Sequence, residues 1–125
     1  MTEGVVYGSR EYEERIGKVI DVILDAARKH GIPERDLWLE EWADVEFEGL
    51  PIERDALKIS IYVRGERIGS VYYAVSGPGS RGGANSEGRW TRDPERDVIY
   101  FHPLEEIEEN AEELFAEYVK EEAGA

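Results

Sequence analysis

The chain has 125 residues, 29 acidic side chains against 15 Lys and Arg, and no cysteine. That length suits one domain with one core, and the missing thiols exclude disulfides and thiolate metal sites. The formal charge of −14 argues against unassisted binding to nucleic acid or an anionic membrane through the general surface.

Gln is absent, Asn stands only at positions 85 and 110, and Arg outnumbers Lys eleven to four. This depletion of heat-labile amides suits a thermophilic source, archaeal or viral. The opening MTEGVVYGSREYEE holds no apolar run long enough for a signal peptide, and no segment reaches the roughly 20 apolar residues of a membrane span. The expectation is a soluble cytoplasmic protein, in the host cytoplasm if viral.

Val5, Val6 and Tyr7 read either as a short edge strand or as an ordered arm, because Gly4 and Gly8 bracket them closely. Ser9 then caps a helix with Glu11, Glu13 and Glu14 at its positive end. Tyr12, Ile16, Val19, Ile20, Ile23, Leu24 and Ala27 make its apolar stripe, and Gly31 with Pro33 ends it. Three opposite-charge pairs at i,i+4 are expected on its polar side: Glu11 with Arg15, Glu14 with Lys18, and Asp25 with Lys29.

From Pro33 to Gly49 two readings compete. Leu37, Leu39, Ala43, Val45 and Phe47 alternate as in a strand, interrupted by Glu41, whereas Pro33-Glu34-Arg35-Asp36 reads as the first turn of a helix carrying Trp38 and Trp42 on one face. Either way the two tryptophans are expected in core or dimer contacts. The stretch LKISIYVRGERIGSVYYAV, residues 57–75, is a hairpin: Leu57, Ile59, Ile61 and Val63 form one face, and an Arg64-Gly65-Glu66-Arg67 turn follows. Ile68 has the opposite parity to Val71, Tyr73 and Val75, which predicts one extra residue, a bulge, near Gly69. Tyr62 and Tyr72 are expected on the face away from the helices, packed across strands or exposed as an aromatic patch.

Residues 76–97 are rich in Gly, Ser and Arg, lack apolar periodicity and read as a long loop. Between Gly77 and Arg92 the local charge turns positive, with Arg81, Arg89 and Arg92 against Glu87 alone, so the loop could hold an anion. The spacing fits no phosphate-loop motif, and a plain surface excursion is the competing reading. Trp90, flanked by Arg89 and Thr91-Arg92, either stacks on a partner or folds back over the sheet edge. Residues 98–101 alternate as a final strand, and a helix starting after Pro103 carries Leu104, Ile107, Ala111, Leu114, Phe115, Tyr118 and Val119, with a frayed tail after Lys120.

The sum is an α+β domain: an antiparallel sheet of three to five strands with an N-terminal and a C-terminal helix on one face. The order of elements resembles that of double-stranded RNA-binding domains, whose last helix opens on a Lys-rich stretch. Here that stretch is Leu104-Glu105-Glu106-Ile107-Glu108-Glu109, and nucleic acid is not an expected partner.

His30 suits a helix C-terminus and His102 precedes a helix start. Asp93 and Asp97 lie near His102 along the chain, but no nucleophile or metal-ligand spacing accompanies them, so neither a catalytic set, a metal site nor a cofactor is expected. The last helix bears like-charge i,i+4 pairs along Glu105, Glu109, Glu113 and Glu117, an acidic ridge that is either solvated or meets a basic protein. The leading expectation is a non-enzymatic interaction or regulatory protein, homodimeric through an uncovered sheet face or edge. The alternative is a small ligand-binding protein or enzyme whose 76–97 loop closes over an anionic substrate, with Arg81, Arg89, Arg92 and His102 as its contacts.

Overall fold

In the computed structural model, which describes residues 4–47, 53–76, 83–84, 90–91 and 98–124, two helices pack on one face of a curled antiparallel sheet. The strands are β1 (Val5–Val6), β2 (Leu37–Phe47), β3 (Glu53–Val63), β4 (Glu66–Ser76) and, after a two-stranded ribbon of β5 (Gly83–Ala84) and β6 (Trp90–Thr91), β7 (Val98–Phe101). They lie in the order β1-β7-β4-β3-β2. Helix α1 spans Arg10–Lys29 and α2 spans Leu104–Gly124.

Local chemistry sets the ends of α1. Ser9 Oγ accepts a hydrogen bond from the Tyr12 amide at 3.2 Å. At the other end Gly31 adopts φ +77°, and the amides of Gly31 and Ile32 reach back to the carbonyls of Arg28 and Ala27 at 3.0 and 2.9 Å. This is a Schellman closure, and it needs a residue tolerant of the left-handed region. The chain then makes a single 3-10 turn, Glu34–Asp36, before entering β2. The helical reading of 33–43 therefore holds for one turn only. Strand pairing takes over from Leu37, because Leu37 and Leu39 can then join the core while each β2 residue pairs with β3 in unbroken register.

The β3–β4 hairpin closes through two residues rather than four. Val63 pairs with Glu66, and Arg64 and Gly65 both take positive φ, +50° and +84°, the primed geometry that matches strand twist. Asp36 holds the strained Arg64 in place: its carbonyl accepts the Arg64 amide at 2.8 Å and its carboxylate meets the Arg64 Nε at 3.3 Å.

Strand β4 contains the expected bulge and a second one. Ile61 pairs with Gly69 and Tyr62 with Arg67, leaving Ile68 as the extra residue. Leu57 pairs with Ala74 and Lys58 with Tyr72, which leaves Tyr73 as another. The second bulge restores the original parity, so Ala74 faces the helices while Val75 turns away, contrary to the simple alternation. Each bulge adds right-handed twist, and the sheet curls around its cover.

The core forms where Leu57, Ile59, Ile61, Val63 and Val71 meet Val19, Ile23, Ala26 and Ala27 of α1 and Ile107, Ala111 and Phe115 of α2. Three expectations about the helices need correction. Leu104 and Val119 lie at the margins of the α2 stripe and are exposed; the helix continues to Gly124 instead of fraying after Lys120. Lys29 does not bind Asp25. It bridges to Glu108 and Glu112 of α2 at 3.6 Å each, while Asp25 pairs with Arg28 at 3.0 Å.

Candidate functional site

Two surfaces gather chemistry. The first is the face of the sheet opposite the helices, where alternation forces the polar and aromatic residues of β2, β3 and β4. The register arranges them in three cross-strand rows: Trp38, Tyr62 and Arg67; Glu40, Ser60 and Ser70; Trp42, Lys58 and Tyr72. Trp38 is 64% exposed and Tyr72 43%; of the two places expected for Trp38, core or dimer contact, the core is excluded, because the β2 register aims its indole outward.

The rows are tied together. Ser60 Oγ and Ser70 Oγ are 3.1 Å apart, Arg67 donates to Ser70 Oγ at 2.9 Å, and Lys58 Nζ lies 5.8 Å from the Tyr72 ring centroid. Tyr62 donates its hydroxyl to Glu40, which holds the phenol above its ordinary pKa; partial desolvation and the Glu40 charge add to this, and Arg67 opposes it. The described charges of the three rows are Lys58 and Arg67 against Glu40, a net positive patch on a chain of charge −14.

The second surface is a groove of about 300 Å³ between α1 and the start of α2. Arg15 and Lys18, one turn apart on α1, stand on one side of it, and His102 and Glu105 on the other. Val19 and Phe101 form its floor. Arg15 reaches Glu11 at 3.7 Å, longer than the roughly 2.8 Å of a tight charge-assisted hydrogen bond. The expected partner of Lys18, Glu14, is instead engaged by Arg10 at 3.5 Å, and Lys18 has no ion pair among the described residues.

Of the residues singled out by sequence, Arg81, Arg89 and Arg92 lie outside the described residues, as does most of the 76–97 loop. The reading of that loop as wholly irregular is corrected at two points: Gly83 pairs with Thr91 and Ala84 with Trp90, and the ribbon lies against β2. His102 sits in the groove, apart from the aromatic rows. Its amide donates to the Tyr73 carbonyl at 2.8 Å, which fixes the β7–α2 junction. Glu105, Glu109, Glu113 and Glu117 are exposed, and none of them forms an ion pair with a described residue; Lys29 neutralises the neighbouring row, Glu108 and Glu112. Sequence reasoning missed Arg15 and Lys18, which look like ordinary members of salt-bridged helix pairs until the folded partners are known.

Among the described residues no group of three or more His, Asp or Glu side chains is placed to hold a metal ion, and no helix is long and apolar enough to cross a membrane. Compared with known proteins, the chain matches no family, no curated protein and no solved structure. The functional reading rests on these residues alone.

Proposed function

We propose that the protein is a non-enzymatic interaction module that self-associates through the outer sheet face. The observation that carries this reading is Trp38, a large indole 64% exposed in register with Tyr62, on the face that also carries the partly buried Trp42 and the exposed Tyr72. Exposed aromatics with an interleaved Arg and Lys make the composition of an interface centre.

Charge opposes a second copy less on this face than on the acidic remainder of the chain. Most of this surface repels a like molecule, since 29 acids face 15 bases, but the three rows carry two cations and one carboxylate. An isologous two-fold interface on this face would set aromatic rings of one subunit against rings and cations of the other. The acidic ridge of α2, on the far side of the cover, stays free in such a dimer and can take a basic protein partner.

Light scattering across micromolar concentrations tests the dimer. The expected mass is twice that of the 125-residue chain. Trp38→Asp, which places a like charge and a smaller side chain in the face, should return the mass to that of one chain without loss of fold. A monomeric mass for the unaltered protein at every concentration defeats the reading.

A further inference from the structure

Two cations of α1 line one groove on a chain with 29 acids for 15 bases: Lys18 has no ion pair among the described residues and Arg15 meets Glu11 only at 3.7 Å, with His102 across the groove from them. The groove's floor is apolar, Val19 and Phe101, with the exposed side chain of Leu104 at its margin. Its volume of about 300 Å³ falls at the small end of ligand sites.

We propose that this groove binds a small organic phosphate monoester. Two fixed positive charges match a group that carries close to two negative charges at neutral pH. The planar fork of Arg15 suits bidentate contact with phosphoryl oxygens, Lys18 acts as a point charge, and His102 offers a further N–H donor. The organic part of the ligand lies against Leu104, the exposed apolar side chain of the groove, since Val19 and Phe101 are buried, and this contact separates the ligand from free phosphate. Glu105 also lines the groove, and its charge weakens binding of any anion there. The site lies on the helix side of the molecule and is independent of self-association through the sheet.

An amide-resolved NMR titration of the full chain with phenyl phosphate tests this, with phenol, benzoate and inorganic phosphate as parallel probes. Saturable shifts are expected at Gly17, Val19, His102 and Leu104, while Tyr62 and Ser70 on the sheet stay unmoved. Arg15→Gln should weaken binding about tenfold and Lys18→Gln severalfold, with Arg15→Lys intermediate because charge is kept and the fork lost. Glu105→Gln should tighten it. All three positions lie on helix surfaces, and native amide dispersion in each variant confirms the fold. The proposal is overturned if phenyl phosphate gives no saturable shift at millimolar concentration, or if Arg15→Gln leaves its affinity unchanged. Equal affinity for benzoate would overturn the phosphate assignment, and equal affinity for inorganic phosphate or phenol would overturn the two-part ligand.

Discussion

The two faces of the sheet are built from the same three strands, yet they have opposite fates. Toward the helices, β3 presents Leu57, Ile59, Ile61 and Val63, each buried; one residue over, it presents Lys58 and Tyr62 with Trp38 and Tyr72 for neighbours, each at least partly exposed. The hydrophobic effect fixes the inner face, since every methyl withdrawn from water there counts toward stability. On the outer face rings remain in water and are tied only by hydrogen bonds and a cation–π contact, an arrangement with little value for the isolated chain. Aromatic area that does not stabilise its own fold is area available to a partner.

The sharpest way to break this comparison is to truncate one large ring on each side. Phe115 is fully buried between α2 and the sheet, and Phe115→Ala should cost about 3–5 kcal/mol. Trp38→Ala, a larger deletion, should change the stability of the monomer by less than about 0.5 kcal/mol while weakening self-association. Chemical denaturation of both variants under dilute conditions checks the pair. A comparable loss for Trp38→Ala would mean that its indole stabilises the fold itself, and the distinction between the faces would fail.

A smaller effect tests where the sheet bends. Gly69 takes φ +155° at the first bulge, and a Cβ there would come within 2.6 Å of Leu114 Cδ2. The tip of Leu114 can move, so the backbone conformation dominates, and Gly69→Ala should cost about 1–3 kcal/mol. Adding Leu114→Ala should relieve the clash but not the backbone strain. Full rescue by the second substitution would show that space, not conformation, demands glycine.

This bulge was legible because Ile68 and Val71 cannot share one alternation, and so was the α1 stripe with its Gly31 stop. The second bulge was hidden. Tyr73 and Val75 keep a regular alternation in the sequence, and only pairing with both β3 and β7 selects Ala74 as the inward residue. The start of β2 was ambiguous for a related reason: Glu41 breaks the apolar pattern, yet the strand runs through it with one carboxylate oxygen buried. At the candidate sites, the outward aspect of Tyr62 and Tyr72 followed from strand parity. The groove did not, because it depends on Glu14 choosing Arg10 over Lys18, a competition between surface pairs of nearly equal energy.

Alkaline pH separates the faces through two tyrosines. Burial, with the nearby Tyr12 hydroxyl adding to it, holds the Tyr73 phenol well above its ordinary pKa, and its hydroxyl makes no well-formed hydrogen bond. A group whose folded pKa is raised contributes stability that is complete below its unfolded pKa, about 10, and is lost as pH rises through the folded value. The protein should therefore lose stability above pH 10. Tyr73→Phe, which retains the ring and deletes an oxygen with little hydrogen-bond energy to lose, should reduce that alkaline loss with little change at neutral pH. Tyr62→Phe, on the solvated face, should leave the alkaline limb nearly as it is. Unfolding free energies at neutral pH and above pH 10 decide between them, and identical alkaline limbs for all three proteins would remove Tyr73 as the cause.

The smallest expected effect lies on the outside of the cover, where the helices themselves differ. The polar side of α1 pairs its charges, as Arg10 with Glu14, Arg15 with Glu11 and Arg28 with Asp25, whereas Glu105, Glu109, Glu113 and Glu117 of α2 repel one another in sequence. Each such i,i+4 repulsion costs a few tenths of a kcal/mol and is screened by salt. Reversing Glu109→Lys together with Glu113→Lys makes both outer pairs attractive, toward Glu105 and Glu117, and leaves one repulsion between the new cations. The net gain should be less than about 1 kcal/mol, seen as a raised thermal midpoint at low salt. The midpoint of the unaltered protein should climb with ionic strength and that of the variant should climb less. If the ridge also receives a basic partner, binding of a Lys-rich peptide at low salt should be strong for the native chain and abolished by the reversal. A peptide that binds both proteins alike would leave the ridge with no role beyond solvation, because the same substitutions that remove the repulsion also remove the charge a basic partner would seek.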